Sequence, residues 1–397
     1  MNLHPMLDVL GVFTGFDLSG PSAVYLVLYL GTLCLHAVLM SYVLAGSGYV
    51  AAATVLGARD RDPVARVLAD WLPFGLGLAI TAGVAPLLFL QILYKESFYT
   101  ANLLLFHRWM ALVPVLIIGF YLLYVGKSET ARGWGRPARA AAAVIAFVCF
   151  GFAAWSWTGN HLVALERARW VELYLTRGIP VPSPAMLLRL AMWLAGSVPI
   201  MAMIVGWQLR HRAEHSADSS ADGSADGSDV DADVDVSVEA DGGARRRLAV
   251  LALGGIALAV GFGWGHARLL DPSVRAVLAS PGALAYLVPL GLGLGLQAGA
   301  WLALMRGPAR PGAWSQPALI AAALGAGLAV IGTSLAREAV RLAALDLNGP
   351  GLAAVADAQA RSASSGGIVT FFVFLAINTA LIVWCLRATR RALGQSS

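Results

Sequence analysis

Histidines inside long apolar runs are the residues of this sequence best suited to redox chemistry. His36 lies in the run LCLHAVLM, and His107 lies in LLLFHRWMA. A neutral imidazole is a common axial ligand of haem iron, and two histidines on different helices can hold one haem between them. We therefore predict that His36 and His107 bind the iron of a haem b.

Three charged residues in another apolar run form a second candidate group. Arg337, Glu338 and Arg341 lie in AREAVR, and ionisable residues at membrane depth are costly and commonly functional. A guanidinium pairs well with a carboxylate, so Arg337 and Arg341 would bind haem propionates or a quinone. The alternative is a structural ion pair. Neighbours on a helix point in different directions, however, so Arg337 and Glu338 each need a further partner.

Two more histidines, His161 in TGNHLV and His266 in WGHARLL, are further candidates at the ends of apolar runs. The alternative for both is an anchor at the membrane surface, and it applies equally to His107. For His36 the alternative is a hydrogen bond between two helices. The orientation that the basic residues predict would place all these groups in the outer half of the membrane or at its outer face.

The composition is that of a membrane protein. Of 397 residues, 58% are apolar and 13% are charged, too few charges to cover a soluble protein of this length. The three cysteines form no CxxC motif, which excludes a zinc ribbon and a covalently attached c-type haem. Runs of about 20 apolar residues predict an all-α, polytopic transmembrane bundle. Its nine spans are Val24–Val55, Leu72–Tyr94, Leu103–Val125, Ala138–Trp157, Met186–Leu209, Leu248–His266, Ala283–Met305, Pro317–Leu342 and Gly367–Leu386.

The basic residues predict the orientation of these spans. The net charge of +5 does not indicate a nucleic-acid partner, because the arginines occupy short loops between apolar runs. Lysine and arginine accumulate on the cytoplasmic side of membrane proteins. We therefore expect the N-terminus outside and the C-terminus inside. The inner loops and tail hold 17 of the 28 basic residues: Arg59, Arg61, Arg66, Lys127, Arg132, Arg136, Arg139, Arg210, Arg212, Arg245, Arg246, Arg247, Arg306, Arg310, Arg387, Arg390 and Arg391.

The chain divides into two membrane regions joined by an acidic tract. Residues 1–208 hold spans 1–5, and residues 247–397 hold spans 6–9. Between them, 209–246 contains the Ser/Asp/Gly-rich sequence Ala213–Gly243, which predicts a disordered cytoplasmic loop. Residues 161–178 show apolar positions at helical spacing, which predicts an amphipathic helix on the outer surface. In span 7, three glycines spaced by four residues (Gly291, Gly295 and Gly299) would allow close helix contact.

From Leu35 to Gln91 the sequence resembles subunit I of the cytochrome bd quinol oxidases. His36 falls at a haem-ligating histidine of that family, and FHRWMALVP, which contains His107, resembles its third span. TSLAREAVR resembles a family signature, of which Arg337 remains. The resemblance implies a nine-span fold with an outside N-terminus, location in the bacterial cytoplasmic membrane, haem b, and a link to quinol.

Several features of that family are missing from this sequence. The fifth span, AMLLRLAMW, has no histidine, and AYLVPLGLG in the seventh span has no methionine. The last span offers Asn378 where the family has a glutamate, and the long outer loop after span 6 is reduced to RLLDPSVRAVLASPG. The ligand set of an oxidase is therefore incomplete, although the resemblance still implies the fold.

These observations leave three functional hypotheses. The first is a haem b-binding or quinol-linked electron-transfer subunit, an oxidoreductase component whose partner is a c-type cytochrome or a second membrane subunit. The second is a transporter or channel without a cofactor, with Arg337, Glu338 and His36 along its pathway. The third is a degenerate subunit that anchors or assembles a membrane complex.

Overall fold

The computed structural model describes residues 21–176, 183–222, 230–307 and 314–364, together with isolated positions between 369 and 387. We number its helices in chain order. They are α1 (Pro21–Val55), α2 (Pro63–Leu93), α3 (Lys95–Leu104), α4 (Phe106–Val125), α5 (Glu129–Arg132), α6 (Arg136–Leu165), α7 (Trp170–Thr176), α8 (Pro184–Asp222), α9 (Val230–Arg268), α10 (Pro272–Leu278), α11 (Leu284–Arg306), α12 (Gln316–Asn348) and α13 (Leu352–Ser364).

Eight of these helices are long and apolar enough to cross a membrane within the described ranges: α1, α2, α4, α6, α8, α9, α11 and α12. They correspond in order to the first eight predicted spans, so the predicted all-α polytopic bundle is confirmed. The ninth predicted span, Gly367–Leu386, falls on residues of which only isolated positions are described. Below, the inner face is the side that carries the basic loops, and the outer face is the opposite one.

The helices begin and end where local chemistry places their boundaries, not where apolar runs do. The side chain of Asp62 accepts a hydrogen bond from the backbone N–H of Val64, and Pro63 occupies the first turn. Both are favourable at a helix start, so α2 begins nine residues before the predicted Leu72. The predicted third span is also divided, because the chain leaves helical geometry at Leu105 between α3 and α4.

Helix α1 occupies the centre of the bundle and packs against α2, α6, α8 and α12. The largest hydrophobic cluster of the bundle includes Tyr42 and Val43 of α1, which pack with Leu68 and Leu72 of α2 and with Met201 of α8. This arrangement gives α1 a neighbour on most sides. Polar side chains along α1 therefore face protein and not lipid.

Large apolar side chains cover the outside of the bundle. Phe74, Ile117 and Val148 are each about half exposed. Among the described residues of α4 only Gly119 is buried. A surface of this kind is stable only in a lipid bilayer. The chain is thus a multi-pass membrane protein.

Close contact between α11 and α12 depends on glycines other than those we expected. A Cβ added at Gly325 would lie 2.7 Å from the carbonyl oxygen of Gly293, and one at Gly332 would lie 2.6 Å from the backbone nitrogen of Leu290. Such spacing leaves room for hydrogen alone, which is how glycine permits close helix approach. At the expected Gly291, Gly295 and Gly299, an added Cβ would meet no described atom within 4 Å. The face that carries these three glycines points away from α12, so they make no close helix contact within the described residues.

The α11–α12 contact predicts that Gly332→Leu destabilises the bundle, since a leucine side chain would push the two backbones apart. We expect the free energy of unfolding to fall by about 1–3 kcal/mol or more. Thermal unfolding in detergent measures the effect, with Gly291→Leu on the open face as the matched control. Equal melting temperatures for the two variants would contradict the contact.

Two segments predicted to lie outside the membrane differ from the prediction in their secondary structure. The structure divides 161–178 into the end of α6, a short 3-10 turn at Arg167–Arg169, and α7. His161 therefore belongs to a membrane-spanning helix, and residues 177–178 lie outside the described range. In the acidic tract, α8 reaches Asp222 and α9 starts at Val230, while 223–229 lie outside the described residues. The disorder of 209–246 stays a prediction.

Candidate functional site

A cavity of about 120 Å³ lies among α1, α2, α6, α8 and α12. Most of its wall is apolar, with four basic side chains at the lining: His36 from α1, His161 from α6, Arg189 from α8 and Arg337 from α12. Ligand sites in proteins commonly combine an apolar wall with a few polar groups of this kind. The cavity is therefore the candidate site.

His36 is held in one orientation by α2. Its Nδ1 lies 3.0 Å from the carbonyl oxygen of Ala79. A carbonyl can only accept, so Nδ1 carries the proton and the lone pair of Nε2 remains available. A Cβ added at Gly83 would lie 2.8 Å from His36 Cε1, so the glycine makes room for the ring. This is the tautomer and the backbone support that metal-binding histidines use.

His161 has the opposite tautomer. It is 4% exposed, and its Nδ1 lies 3.0 Å from Nη2 of Arg341 and 3.4 Å from Nη2 of Arg337. A guanidinium can only donate, so Nδ1 accepts and the proton sits on Nε2. That N–H is buried and has no hydrogen-bond partner among the described residues. In this tautomer His161 presents an N–H at Nε2, and the lone pair of its Nδ1 is used by the two arginines.

Glu338 neutralises one of the arginines. It is 1% exposed, its Oε2 lies 3.2 Å from Nη1 of Arg341, and its Oε1 accepts a hydrogen bond from the hydroxyl of Tyr94. The guanidinium of Arg341 also lies over the Tyr94 ring, 4.4 Å from its centroid. Arg337 reaches the hydroxyl of Tyr29 at 3.4 Å. Arg341 therefore has a counterion, whereas the hydrogen-bond partners of Arg337 among the described residues, Tyr29 and His161, are neutral.

Arg189 is the residue that our sequence reasoning missed. It is 6% exposed and lines the cavity, and no carboxylate in the described part of the chain pairs with it. Three guanidiniums (Arg189, Arg337 and Arg341) against one carboxylate (Glu338) leave an excess of two positive charges. An uncompensated buried charge costs several kcal/mol. The signal was present in the sequence, since an arginine inside the fifth apolar run is unusual.

The other predicted site residues lie apart from the cavity. His107 is exposed at the start of α4, where its ring packs against Phe106 with centroids 5.5 Å apart. The structure does not bring it to His36. His266 lies near the end of α9, and its Nδ1 is 3.0 Å from the carbonyl oxygen of Ala185. It thereby supports the start of α8, one turn before Arg189.

Comparison with known proteins finds a solved structure of similar architecture. The chain is similar to the structure of bd oxidase from Geobacillus thermodenitrificans, with a TM-score of 0.59 and 13% identity over 94% of this chain and 99% of the other. This chain has the bd oxidase fold. No protein-family model and no curated protein matches the sequence. At this identity the likeness establishes the fold, and ligands must be argued from the side chains.

The cavity offers the kinds of donor that a haem would need, although its volume does not match a porphyrin. His36 offers one nitrogen lone pair for iron, and Arg189 and Arg337 offer guanidiniums for two propionates. The described residues contain no group of three or more His, Cys, Asp or Glu that would hold a bare metal ion. The enclosed volume matches one ring and not a whole porphyrin, so binding requires the apolar walls to move apart.

The charge arrangement predicts that Glu338→Gln is strongly destabilising, because the variant keeps the shape of the side chain but leaves Arg341 without a counterion. Breaking a buried pair in this way costs about 3–5 kcal/mol. Glu166→Gln is the matched control, since Glu166 pairs with Arg169 at a partly exposed position, where a pair contributes about 0–1 kcal/mol. If thermal unfolding shifts equally in both variants, the buried pair is not the stabilising contact.

Proposed function

We propose that this protein is a subunit I-like electron-transfer subunit of the bacterial cytoplasmic membrane that binds a haem b in the cavity. The single observation that carries the proposal is the excess of two buried positive charges beside a histidine with a free Nε2. A haem b has two propionates, which would balance this charge, and an iron that accepts the imidazole. A neutral ligand would leave the charge excess in place.

The residues divide the work of binding. His36 would bind the iron through Nε2, while the Ala79 carbonyl fixes its ring through Nδ1. Arg189 and Arg337 would hold the propionates, and His161 would donate its Nε2–H to one propionate oxygen. A bound haem supplies one-electron redox chemistry within the bilayer.

The position of the arginines indicates where a redox partner would bind. Arg337 and Arg341 lie in the outer part of α12, so the propionate side of the site would face the outer surface. A c-type cytochrome or a second membrane subunit at that face would complete an electron path. A quinol on the membrane side would be the corresponding donor, or a quinone the corresponding acceptor.

Haem binding predicts a visible spectrum that depends on His36. Protein purified from haem-replete cells should show reduced-minus-oxidised Soret and α bands, and a pyridine haemochrome assay should identify haem b. His36→Ala should remove most of this signal because the axial nitrogen is lost. His107→Ala should keep it, since His107 is exposed and remote from the cavity.

The two histidine variants separate three outcomes. Loss of the bands in both variants would support the prediction from the sequence that His36 and His107 together bind the iron. Retention in both would exclude His36 as the ligand. A colourless parent protein would refute the proposal as a whole.

Arg189 offers a second test, because the proposal assigns it opposite effects on stability and on binding. Arg189→Gln removes an uncompensated buried charge, so the haem-free protein should become more stable. The same change removes a charge-assisted bond worth about 1.5–3 kcal/mol, so haem affinity should fall about tenfold to a hundredfold. Haem titration and thermal unfolding of haem-free protein measure the two effects, with Arg189→Lys as the charge-conserving control. A fall in both quantities would instead indicate a purely structural arginine.

A quinone headgroup is the second candidate ligand, favoured by the size of the cavity. About 120 Å³ is close to the volume in which an engineered apolar cavity binds one benzene ring. The Nε2–H of His161 and the guanidinium of Arg337 would donate to the ring carbonyls. A colourless preparation whose organic extract contains quinone in proportion to protein would support this ligand over haem.

A further inference from the structure

A shallow groove lies at the inner face, on the opposite side of the bundle from the buried arginines Arg189, Arg337 and Arg341. Leu122 and Leu123 of α4 form one wall, and Ala142, Ala143 and Ala146 of α6 form another. The enclosed part measures about 30 Å³. The small alanine side chains leave an apolar channel that runs along two membrane-spanning helices.

Two arginines lie near the inner end of this groove: Arg59 is part of its lining, and Arg136 precedes the lining residue Arg139 by about one helical turn. Arg59 donates to the carbonyl oxygen of Gly126 at 2.7 Å, and Arg136 donates to that of Val55 at 2.7 Å. Gly57 has a φ of 73°, and a Cβ there would lie 2.8 Å from Arg136 Cζ, so the glycine lets the guanidinium rest on the α1–α2 turn. These carbonyls belong to helix C-termini, where a cation is favourable. Each guanidinium uses one donor in this contact and keeps others for a ligand.

Positive charge exceeds negative charge around the groove. Arg59, Arg136 and Lys127 pair with no carboxylate in the described part of the chain, and Lys127 donates only to a backbone carbonyl. Arg139 pairs with Asp60 at 2.8 Å, and the hydrogen bond from Arg139 lowers the pKa of that carboxyl. Asp60 is therefore ionised at neutral pH and cancels Arg139. Among the described residues near the groove, Arg59, Arg136 and Lys127 are therefore left without a paired carboxylate.

We propose that this groove binds an anionic phospholipid of the inner leaflet. The phosphate would accept hydrogen bonds from Arg59 and Arg136, which match its oxygens in a fork geometry. An acyl chain would lie along the alanine-lined channel, and Trp134 stands at the level where tryptophan meets lipid headgroups. Basic pockets between helices on the cytoplasmic side bind such lipids in other membrane proteins. This site is independent of any ligand in the central cavity.

The test uses purified, delipidated protein in a neutral detergent. Phosphatidylglycerol should raise the melting temperature, because a ligand that binds only the folded state stabilises it. Phosphatidylcholine with the same acyl chains should not. Arg59→Gln and Arg136→Gln should each reduce the shift at least twofold. Arg246→Gln, which removes the same charge from an exposed position of the inner face, should keep it.

Two results would overturn the proposal. Equal phosphatidylglycerol shifts in the parent and in both groove variants would mean that the arginines only cap helices. A shift reproduced by inorganic phosphate alone would mean that the site recognises phosphate and not a lipid. Ala143→Leu, which fills the channel without changing charge, should also reduce the shift, and it decides the matter if the arginine variants do not fold.

Discussion

Three guanidiniums buried against one carboxylate inside a bilayer are the constraint on which the arrangement of this protein depends. A membrane interior offers little solvation to charge, so each cation must find polar partners within the bundle. Tyr94, Glu338 and His161 supply them for Arg341. These residues come from the junction of α2 and α3, from α12 and from α6, respectively. The charge cluster therefore joins helices that are distant in sequence.

The length of α6 is a consequence of the same constraint. Its apolar run ends near Trp157, yet the helix continues to Leu165 and carries His161 into the bundle. There the imidazole accepts from two guanidiniums through Nδ1. A helix that stopped at the apolar boundary would leave these donors with fewer acceptors. Polar contacts inside the bundle thus extend a helix beyond the limit that hydrophobicity predicts.

The fold could be predicted from sequence, because it follows from long apolar runs separated by short polar loops. Which way a helix faces could not. Lipid and protein interior are equally apolar, so periodicity does not separate them. His107 was expected beside His36 but lies on an exposed surface, and Gly291 was expected at a helix contact that Gly332 makes instead. Arg189 lies in AMLLRLAMW of the fifth span, a run that drew attention only because it lacks a histidine.

The charged end of α12 also constrains how this protein reaches the membrane. With its N-terminus inside, α12 must move Arg337, Glu338 and Arg341 across the hydrocarbon core before they meet their partners Tyr29, Tyr94 and His161. An arginine at the centre of an inserting helix costs about 2.5–3.5 kcal/mol. The uninterrupted apolar stretch from Leu319 to Ile331 offsets that cost during insertion. The same stretch packs closely against α11 at Gly293 in the finished fold, so one segment serves both insertion and assembly.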